Sequence, residues 1–168
     1  DRHMYALDAA TGKERWRYDP RVPRGRQYSE ATSRGVTVWE DPDAARTGPC
    51  RRRVFAGTLD ARLLAIDAET GRPCADFGSG GAVQLGVDAR ITTPGDYLVT
   101  SPPATFEDVV IVGSAIGDNR GVELERGIVR GFDARTGATL WKFDPIPDSP
   151  THPTASQWQP EQARLTGG

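Results

Sequence analysis

This 168-residue chain has side chains whose types allow binding chemistry, among them an arginine, two hydroxyls, and an adjacent carboxylate and amide. They are Arg34, Thr100, Ser114, Asp118 and Asn119. A guanidinium donates two parallel hydrogen bonds to a carboxylate, and a hydroxyl can donate to a ring oxygen. A carboxylate and an amide carbonyl supply the hard oxygen ligands that Ca²⁺ or Mg²⁺ prefers. These residue types are also common at strand starts and loop tips, so types alone leave a surface role open.

A phrase repeated three times predicts the scaffold that must position these side chains. It reads Ala-Leu-Asp-Ala-Ala-Thr-Gly at 6–12, Ala-Ile-Asp-Ala-Glu-Thr-Gly at 65–71 and Gly-Phe-Asp-Ala-Arg-Thr-Gly at 131–137. Repetition of one supersecondary unit indicates a stacked array. The aspartates are 59 and 66 residues apart, more than a four-stranded blade needs, so each unit contains an insertion. Functional groups are expected in those insertions, because loops on a rigid scaffold hold binding residues.

Each repeat is interpreted as a strand, a tight turn and a second strand. Apolar residues alternate up to the Asp, which accepts backbone N–H bonds in the turn, and Gly takes the positive φ. Trp16 and Trp141 follow the first and third turns, whereas Cys74 and Phe77 stand near that place in the second. A Trp needs a neighbouring sheet to bury it, so we expect both to lie between sheets or at their margins. The pattern predicts an all-β partial propeller of about three blades, with strands of about four to seven residues.

Composition and length agree with this architecture. The chain has 19 Gly and 13 Pro, too many for a helical protein, and short helical turns are expected only in the Pro-rich segment 149–162. About three blades cannot close a ring of roughly four to eight. We therefore expect residues 1–168 to be a fragment of a single propeller domain that is incomplete at both ends. No apolar run is long enough to span a bilayer.

Charge and cysteine usage limit the function further. The net charge of −2, with both signs interspersed, gives no argument for a nucleic-acid partner. The one basic run, Arg51 to Arg53, is interpreted as the solvated start of a strand. The two cysteines, Cys50 and Cys74, would form a disulfide in an oxidising compartment and would otherwise be small buried apolar residues.

The ordered set of motifs resembles the quinoprotein dehydrogenases, and most closely their glucose dehydrogenase branch. The motifs lie at 29–36, 97–104, 109–114, 118–119 and 127–133, together with the repeated turns. The resemblance implies an eight-bladed propeller that oxidises a sugar or an alcohol with pyrroloquinoline quinone (PQQ) and Ca²⁺ or Mg²⁺. It also implies a periplasmic location and ubiquinone or a cytochrome as electron acceptor, and it leaves open an inner-membrane anchor outside this chain.

The resemblance assigns roles to individual residues. Arg34 would bind the carboxylates of the quinone, Thr100 would hydrogen-bond the cofactor, and Ser114 lies in a stretch that runs past it. Asp118 and Asn119 match a pair assigned to the metal. We expect Arg34, Thr100 and Asp118 to line one end of the propeller near its axis.

Three features depart from the family pattern or lie outside the chain. The acidic loop is longer than in the alcohol dehydrogenase branch, so the metal ligand could instead be Glu123 or Glu125. Glu30 stands where glucose dehydrogenases commonly have a His, which leaves the substrate open. The general base of the family, an Asp, is expected beyond Gly168, so no catalytic residue is assigned here.

A non-catalytic function is the alternative. Propellers with the same turns also serve as scaffolds, for instance in outer-membrane protein assembly, and they keep the turns and tryptophans for packing. Such scaffolds need not keep Arg34-Gly35, Thr100-Ser101-Pro102 or Asp118-Asn119, and their joint presence favours the enzyme.

Overall fold

The computed structural model describes residues 3–43, 45, 47–117, 125–147, 149–159 and 161. Their strands are β1 Met4–Leu7, β2 Glu14–Tyr18, β3 Thr37–Glu40, β4 Arg52–Gly57, β5 Arg62–Asp67, β6 Ala82–Gln84, β7 Ala104–Phe106, β8 Val109–Val112, β9 Val129–Asp133 and β10 Thr139–Phe143. Every strand pairing is antiparallel, which confirms the predicted all-β class. The helical element is a 3₁₀ turn, Ala155–Gln157, inside the segment where a short turn was expected. Within the described ranges, no helix has the length and apolar character to cross a bilayer.

The strands form one two-stranded and two four-stranded sheets. β1 pairs with β2, and the larger sheets run in chain order, β3-β4-β5-β6 and β7-β8-β9-β10. β3 and β7 lie next to each other. The indole Nε1 of Trp39 donates to the Glu107 carbonyl at 2.8 Å, and the Thr37 hydroxyl donates to the Pro103 carbonyl. The larger sheets are thus adjacent along their first strands, and one core containing Phe55, Phe77 and Phe132 spans both.

Two strands are shorter than predicted. β6 and β7 have three residues each, so the expected lower limit of about four is wrong for them. Pro102 and Pro103 directly precede β7 and offer no N–H for pairing. The positive φ of Glu107, 50°, turns the chain immediately after β7. β6 follows the glycine-rich segment 78–81, where three glycines have positive φ.

The repeated Asp-x-x-Thr-Gly turns have one geometry. In each, the Asp Oδ1 accepts hydrogen bonds from the backbone N–H and the hydroxyl of the Thr three residues on, at 2.7–2.9 Å. The Gly N–H donates to the Asp carbonyl at 2.8–2.9 Å, and the φ values of the three glycines are 70°, 71° and 72°. The three aspartates are Asp8, Asp67 and Asp133. The turn chemistry proposed from sequence is therefore observed in all three copies.

The first two units each dock an aromatic side chain onto the turn of the next unit. A Cβ at Gly71 would lie 2.7 Å from Trp16 Cδ2, and the Trp16 Nε1 donates to the Ala68 carbonyl at 2.9 Å. Phe77 takes this place in the second unit, because a Cβ at Gly137 would lie 3.3 Å from its Cδ2. The predicted stacking of repeats is therefore observed for the first two units.

Trp141 differs from this pattern. It is 40% exposed, so the prediction that it is buried is wrong for the part of the chain described by the structure. The reason is that β10 is the edge strand of its sheet there, and the indole of Trp141 instead folds over Gly131 of β9.

Arg53 is fully buried, so the predicted solvated role of the basic run is wrong for this residue. Its guanidinium donates to the carbonyls of Cys50 and Arg135 at 2.9 and 2.7 Å and pairs with Asp76 at 2.6 Å. These contacts satisfy the donors that burial removes from water. Arg52 remains exposed, as predicted.

The predicted pairing of Cys50 with Cys74 is confirmed. The two form a disulfide with their α-carbons 5.7 Å apart, within the usual range for such bridges. It links the segment before β4 to the turn after β5, at the end of the sheet that carries the Asp turns.

Replacing both cysteines with serine is expected to lower the unfolding free energy of the intact protein by about 3 kcal/mol, because the bridge restricts a loop of the unfolded chain. Thermal unfolding with and without a reducing agent measures this loss. The double variant should not respond to the reducing agent, and an equally stable variant would contradict the prediction.

Acid should destabilise the fold through the turn aspartates. Burial raises the pKa of Asp67, but hydrogen bonds from Cys50 N–H and from Thr70 outweigh it and hold the pKa below the ordinary 3.8. A depressed carboxyl pKa stabilises the fold above pH 3.8, and this contribution is lost as the pH falls through the folded value.

Asp67→Asn is therefore expected to cost about 1–3 kcal/mol at pH 7, because it removes the negative charge and one of the two oxygens that accept from the Cys50 and Thr70 N–H groups. The cost should shrink below pH 3.8. Urea unfolding of the variant and the unsubstituted protein at pH 7 and pH 3 measures it, and an equal cost at both values would contradict the assignment.

Candidate functional site

The topology places three of the predicted cofactor-binding residues at the same end of the sheets. Arg34 precedes β3 and Thr100 precedes β7, and these two strands begin at one end. Ser114 follows β8, which is antiparallel to β7 and therefore finishes where β7 begins. The Asp turns and the disulfide lie at the opposite end. The arginine and both hydroxyls thus share one end, and their binding roles stay predictions.

The loops of Arg34 and Thr100 are in direct contact. The backbone N–H of Arg34 donates to the Thr100 carbonyl at 2.8 Å. Gly35 has a φ of +144°, which L side chains rarely adopt, and a Cβ there would lie 3.3 Å from Pro102 Cγ. The Arg-Gly and Ser-Pro-Pro motifs are therefore two halves of one packed unit.

The loop of Thr100 is also held from the β4–β5 hairpin. The Val99 N–H donates to the Thr58 carbonyl at 3.1 Å. A Cβ at Gly57 would lie 2.1 Å from Val99 Cγ1, so only glycine allows this close approach. Thr100 itself is buried. Sequence reasoning missed Gly57, since nothing in the motif links a hairpin glycine to a loop about forty residues on.

The side chain of Arg34 is accessible at this end. Half of its side-chain surface is exposed, and its guanidinium forms an ion pair with Glu30, which is 37% exposed. Glu30 is the residue that departs from the family pattern. The arrangement gives an anion-binding group that already has a carboxylate partner.

Ser114 offers a buried hydroxyl that has no hydrogen-bond partner among the described residues. Its Oγ is buried and makes no hydrogen bond to the residues that the structure describes. The next residue, Ala115, pairs with Leu98 in both directions at 2.8 and 3.1 Å, which ties Ser114 to the segment leading to Thr100. A buried hydroxyl without a partner is costly unless a ligand or water satisfies it. This position therefore fits a polar group of a bound molecule.

The predicted metal ligands Asp118 and Asn119, and the alternative Glu123, lie outside the described residues. The other alternative, Glu125, is fully buried. Its Oε1 accepts hydrogen bonds from the Thr92 hydroxyl at 2.9 Å and from the Thr92 and Thr93 N–H groups at 3.2 and 3.4 Å. Burial raises the pKa of Glu125, but hydrogen bonds from its own N–H and from Thr92 and Thr93 outweigh this effect and hold the pKa below its ordinary value. Its Oε2 has no partner among the described residues.

The opposite end carries a separate set of charges. Arg135 donates to both carboxylate oxygens of Asp41 at 2.7 and 2.8 Å and to Asp108 at 2.8 Å. These hydrogen bonds raise the pKa of the arginine and join the two larger sheets. Cys50, Cys74 and Asp76 also come within 4.8 Å of one another, but sulfurs joined in a disulfide are not thiolate ligands. This end is structural.

A small cavity lies behind the loop of Arg34. Its volume is about 110 Å³, and its lining includes Met4, Val22, Ser33, Val36, Thr58 and Leu59. The lining is mainly apolar, so the cavity offers little for a charged ligand. The polar face of the loop, where Arg34 and Glu30 meet, is the better candidate.

Comparison with known proteins gives a consistent result along the whole chain. The family model described as the PQQ glucose/ethanol/alcohol dehydrogenase β-propeller domain matches residues 1–166. A quinoprotein glucose dehydrogenase of Escherichia coli K12 is 37% identical over an alignment of 147 residues that covers 84% of this chain and 18% of that protein. A quinohemoprotein alcohol dehydrogenase, ADH IIB of Pseudomonas putida, is 35% identical over an alignment of 177 residues, gaps included, that covers 98% of this chain and 22% of that protein.

A solved structure agrees with these relatives. The quinohemoprotein alcohol dehydrogenase ADHIIG of Pseudomonas putida HK5 superposes with a TM-score of 0.72 at 31% identity, over 98% of this chain and 22% of that one. The chain spans about a fifth of the length of the relatives it matches.

Proposed function

This chain belongs to the glucose/ethanol/alcohol dehydrogenase family of PQQ β-propellers, and we propose that it forms part of the cofactor site of a dehydrogenase that oxidises a sugar or an alcohol. The match over residues 1–166 confirms both the resemblance and the propeller fold expected from sequence. Family membership is shown by this match, and the binding roles of this chain's own residues are what we propose.

The observation that carries the proposal is the contact between the Arg34 and Thr100 loops. Two separate insertions meet through the Arg34 N–H and the Thr100 carbonyl. Ser114 lies at the same end, and its buried hydroxyl has no partner among the residues that the structure describes. A non-catalytic propeller needs the repeated turns and the tryptophans for its packing, but it does not need these two loops to meet. A guanidinium and hydroxyls at one end suit a cofactor with carboxylates and ring oxygens.

The residues fit the two groups that the family uses. Arg34, Thr100 and Ser114 would hold PQQ, and Asp118 with Asn119 would hold Ca²⁺ or Mg²⁺, since both offer hard oxygen atoms. When bound, the quinone accepts the electrons of the substrate C–H bond and the metal polarises its carbonyl. This chain binds and orients these groups, while the general base is assigned to another part of the protein.

Substrate, acceptor and location complete the proposal. We propose a glucose-type sugar as the substrate, with an alcohol as the alternative. The glucose dehydrogenase relative is 37% identical and the alcohol dehydrogenase relative 35%, so both substrate classes are kept. Glu30 places a negative charge where glucose dehydrogenases commonly have a His, which also keeps the alcohol as the alternative. Ubiquinone or a cytochrome would accept the electrons. The periplasm is the proposed location, and the Cys50–Cys74 disulfide supports an oxidising compartment.

Reconstitution of the full-length protein tests the proposal. The apoprotein would be incubated with PQQ and Ca²⁺, and reduction of an artificial electron acceptor followed with glucose, other aldoses and primary alcohols. Activity that requires PQQ and disappears with a chelator is expected. A fully reconstituted protein that oxidises no sugar or alcohol would favour the scaffold alternative.

A further inference from the structure

The pairing of Glu30 with Arg34 carries a consequence for cofactor affinity. We propose that Glu30 competes with the carboxylates of the cofactor for the Arg34 guanidinium and thereby weakens cofactor binding. This inference rests on the proposed function, since it assumes that the Arg34 end binds an anionic quinone.

The backbone keeps the two side chains together. Ser29, next to Glu30, donates its N–H to the Gly95 carbonyl at 3.0 Å. Arg34 donates its N–H to the Thr100 carbonyl at 2.8 Å. Backbone hydrogen bonds therefore hold both ends of this short segment, which keeps Glu30 beside the arginine.

The ion pair is exposed enough for a ligand to displace it. The side chains of Arg34 and Glu30 retain 50% and 37% of their accessible surface, and such a pair contributes at most about a fivefold factor in an equilibrium constant. A carboxylate ligand that takes the guanidinium must break this pair. It then also lies near a second negative charge, and like charges at close range repel. Both effects lower affinity and leave the fold intact.

A second exposed ion pair, at the far end of β3, provides a matched control. Glu40 pairs with Arg51 at 2.6 Å, with side-chain exposures of 51% and 40%. Glu40 ends β3, whereas Arg34 precedes its start, so the control pair lies at the opposite end of this strand. Removing the Glu40 charge changes the net charge equally but should not reach the cofactor.

The test measures PQQ binding by the full-length apoprotein at fixed Ca²⁺, by quenching of tryptophan fluorescence and by calorimetry. Glu30→Gln, which keeps the shape and removes the charge, should lower the Kd about threefold to tenfold. Glu40→Gln should leave the Kd within about twofold, and neither variant should change the melting temperature of the apoprotein noticeably. In an Arg34→Ala background the gain from Glu30→Gln should be smaller.

An unchanged or raised Kd in Glu30→Gln would overturn the inference, and a raised value would show that Glu30 orients the arginine for the ligand. An equal gain from Glu40→Gln would also overturn it, because net charge alone would then explain the effect. If the unsubstituted protein binds no PQQ, the proposed function and this inference both fail. Binding without a gain in Glu30→Gln removes the inference alone.

Discussion

Arg34→Ala in the full-length enzyme is expected to weaken PQQ binding about tenfold to a hundredfold. The guanidinium can donate charge-assisted hydrogen bonds to a carboxylate, and losing such an interaction typically costs about 1.5–3 kcal/mol. Breaking the pair with Glu30 offsets part of this gain. The Kd of the apoprotein for PQQ, measured by fluorescence titration, gives the loss.

Two further variants separate the role of the arginine from net charge. Arg51→Ala removes an arginine of similar exposure that pairs with Glu40 away from the site, and it should leave the Kd unchanged. Arg34→Lys keeps the charge but loses the planar fork, so an intermediate Kd is expected. A Kd unaffected by Arg34→Ala would remove Arg34 from the cofactor site.

Asp118→Ala is expected to reduce turnover more than a hundredfold and to lower the affinity for Ca²⁺. An oxygen ligand lost from a hard-cation site leaves the metal without one of its few protein carboxylates. A missing metal also removes the group that polarises the quinone carbonyl. Asp118 lies outside the described residues, so this prediction rests on the Asp-Asn motif and on the family.

Steady-state rates at saturating PQQ, measured over a range of Ca²⁺ concentrations, test the metal assignment. High Ca²⁺ should restore part of the rate. Glu14→Ala, which removes an exposed carboxylate paired with Arg17 on β2, serves as the control and should be fully active. Full activity of Asp118→Ala at limiting Ca²⁺ would assign the ligand role to other residues of the acidic loop. Glu125 would be one candidate, because it is buried and its Oε2 has no hydrogen-bond partner among the described residues.

Local chemistry made part of the fold predictable from sequence. The Asp turns depend on side chains and N–H groups within three residues of each other, and all three copies adopt the expected hydrogen bonds. The role of Phe77 in place of a Trp could also be read from its position after the second turn. The disulfide was expected for an oxidising compartment, because the chain has two cysteines, and the structure shows it.

Non-local contacts account for what sequence reasoning missed. Arg53 belongs to a basic run that looks solvated, and only the carbonyls of Cys50 and Arg135 and the Asp76 carboxylate explain its burial. The exposure of Trp141 depends on which sheet covers β10, and the repeat pattern does not contain that information.

The candidate site was predictable in its residue types but not in its pairings. The motifs indicated Arg34 and Thr100, but the hydrogen bond that joins their loops and the packing of Gly35 on Pro102 link residues that are 66 and 67 positions apart. The ion pair of Arg34 with Glu30 could have been suspected from a spacing of four residues. Only the structure shows that this pair is exposed and that a ligand could therefore displace it.

A structure of the full-length protein with PQQ and Ca²⁺ would show directly whether this end of the sheets holds the cofactor. We expect the quinone at the end where β3 and β7 begin, with a carboxylate within hydrogen-bonding distance of Arg34 and a polar atom near Thr100 or Ser114. We also expect Glu30 to have lost its contact with the Arg34 guanidinium. A quinone bound elsewhere, with the Arg34–Glu30 pair intact, would rule out the proposed cofactor site.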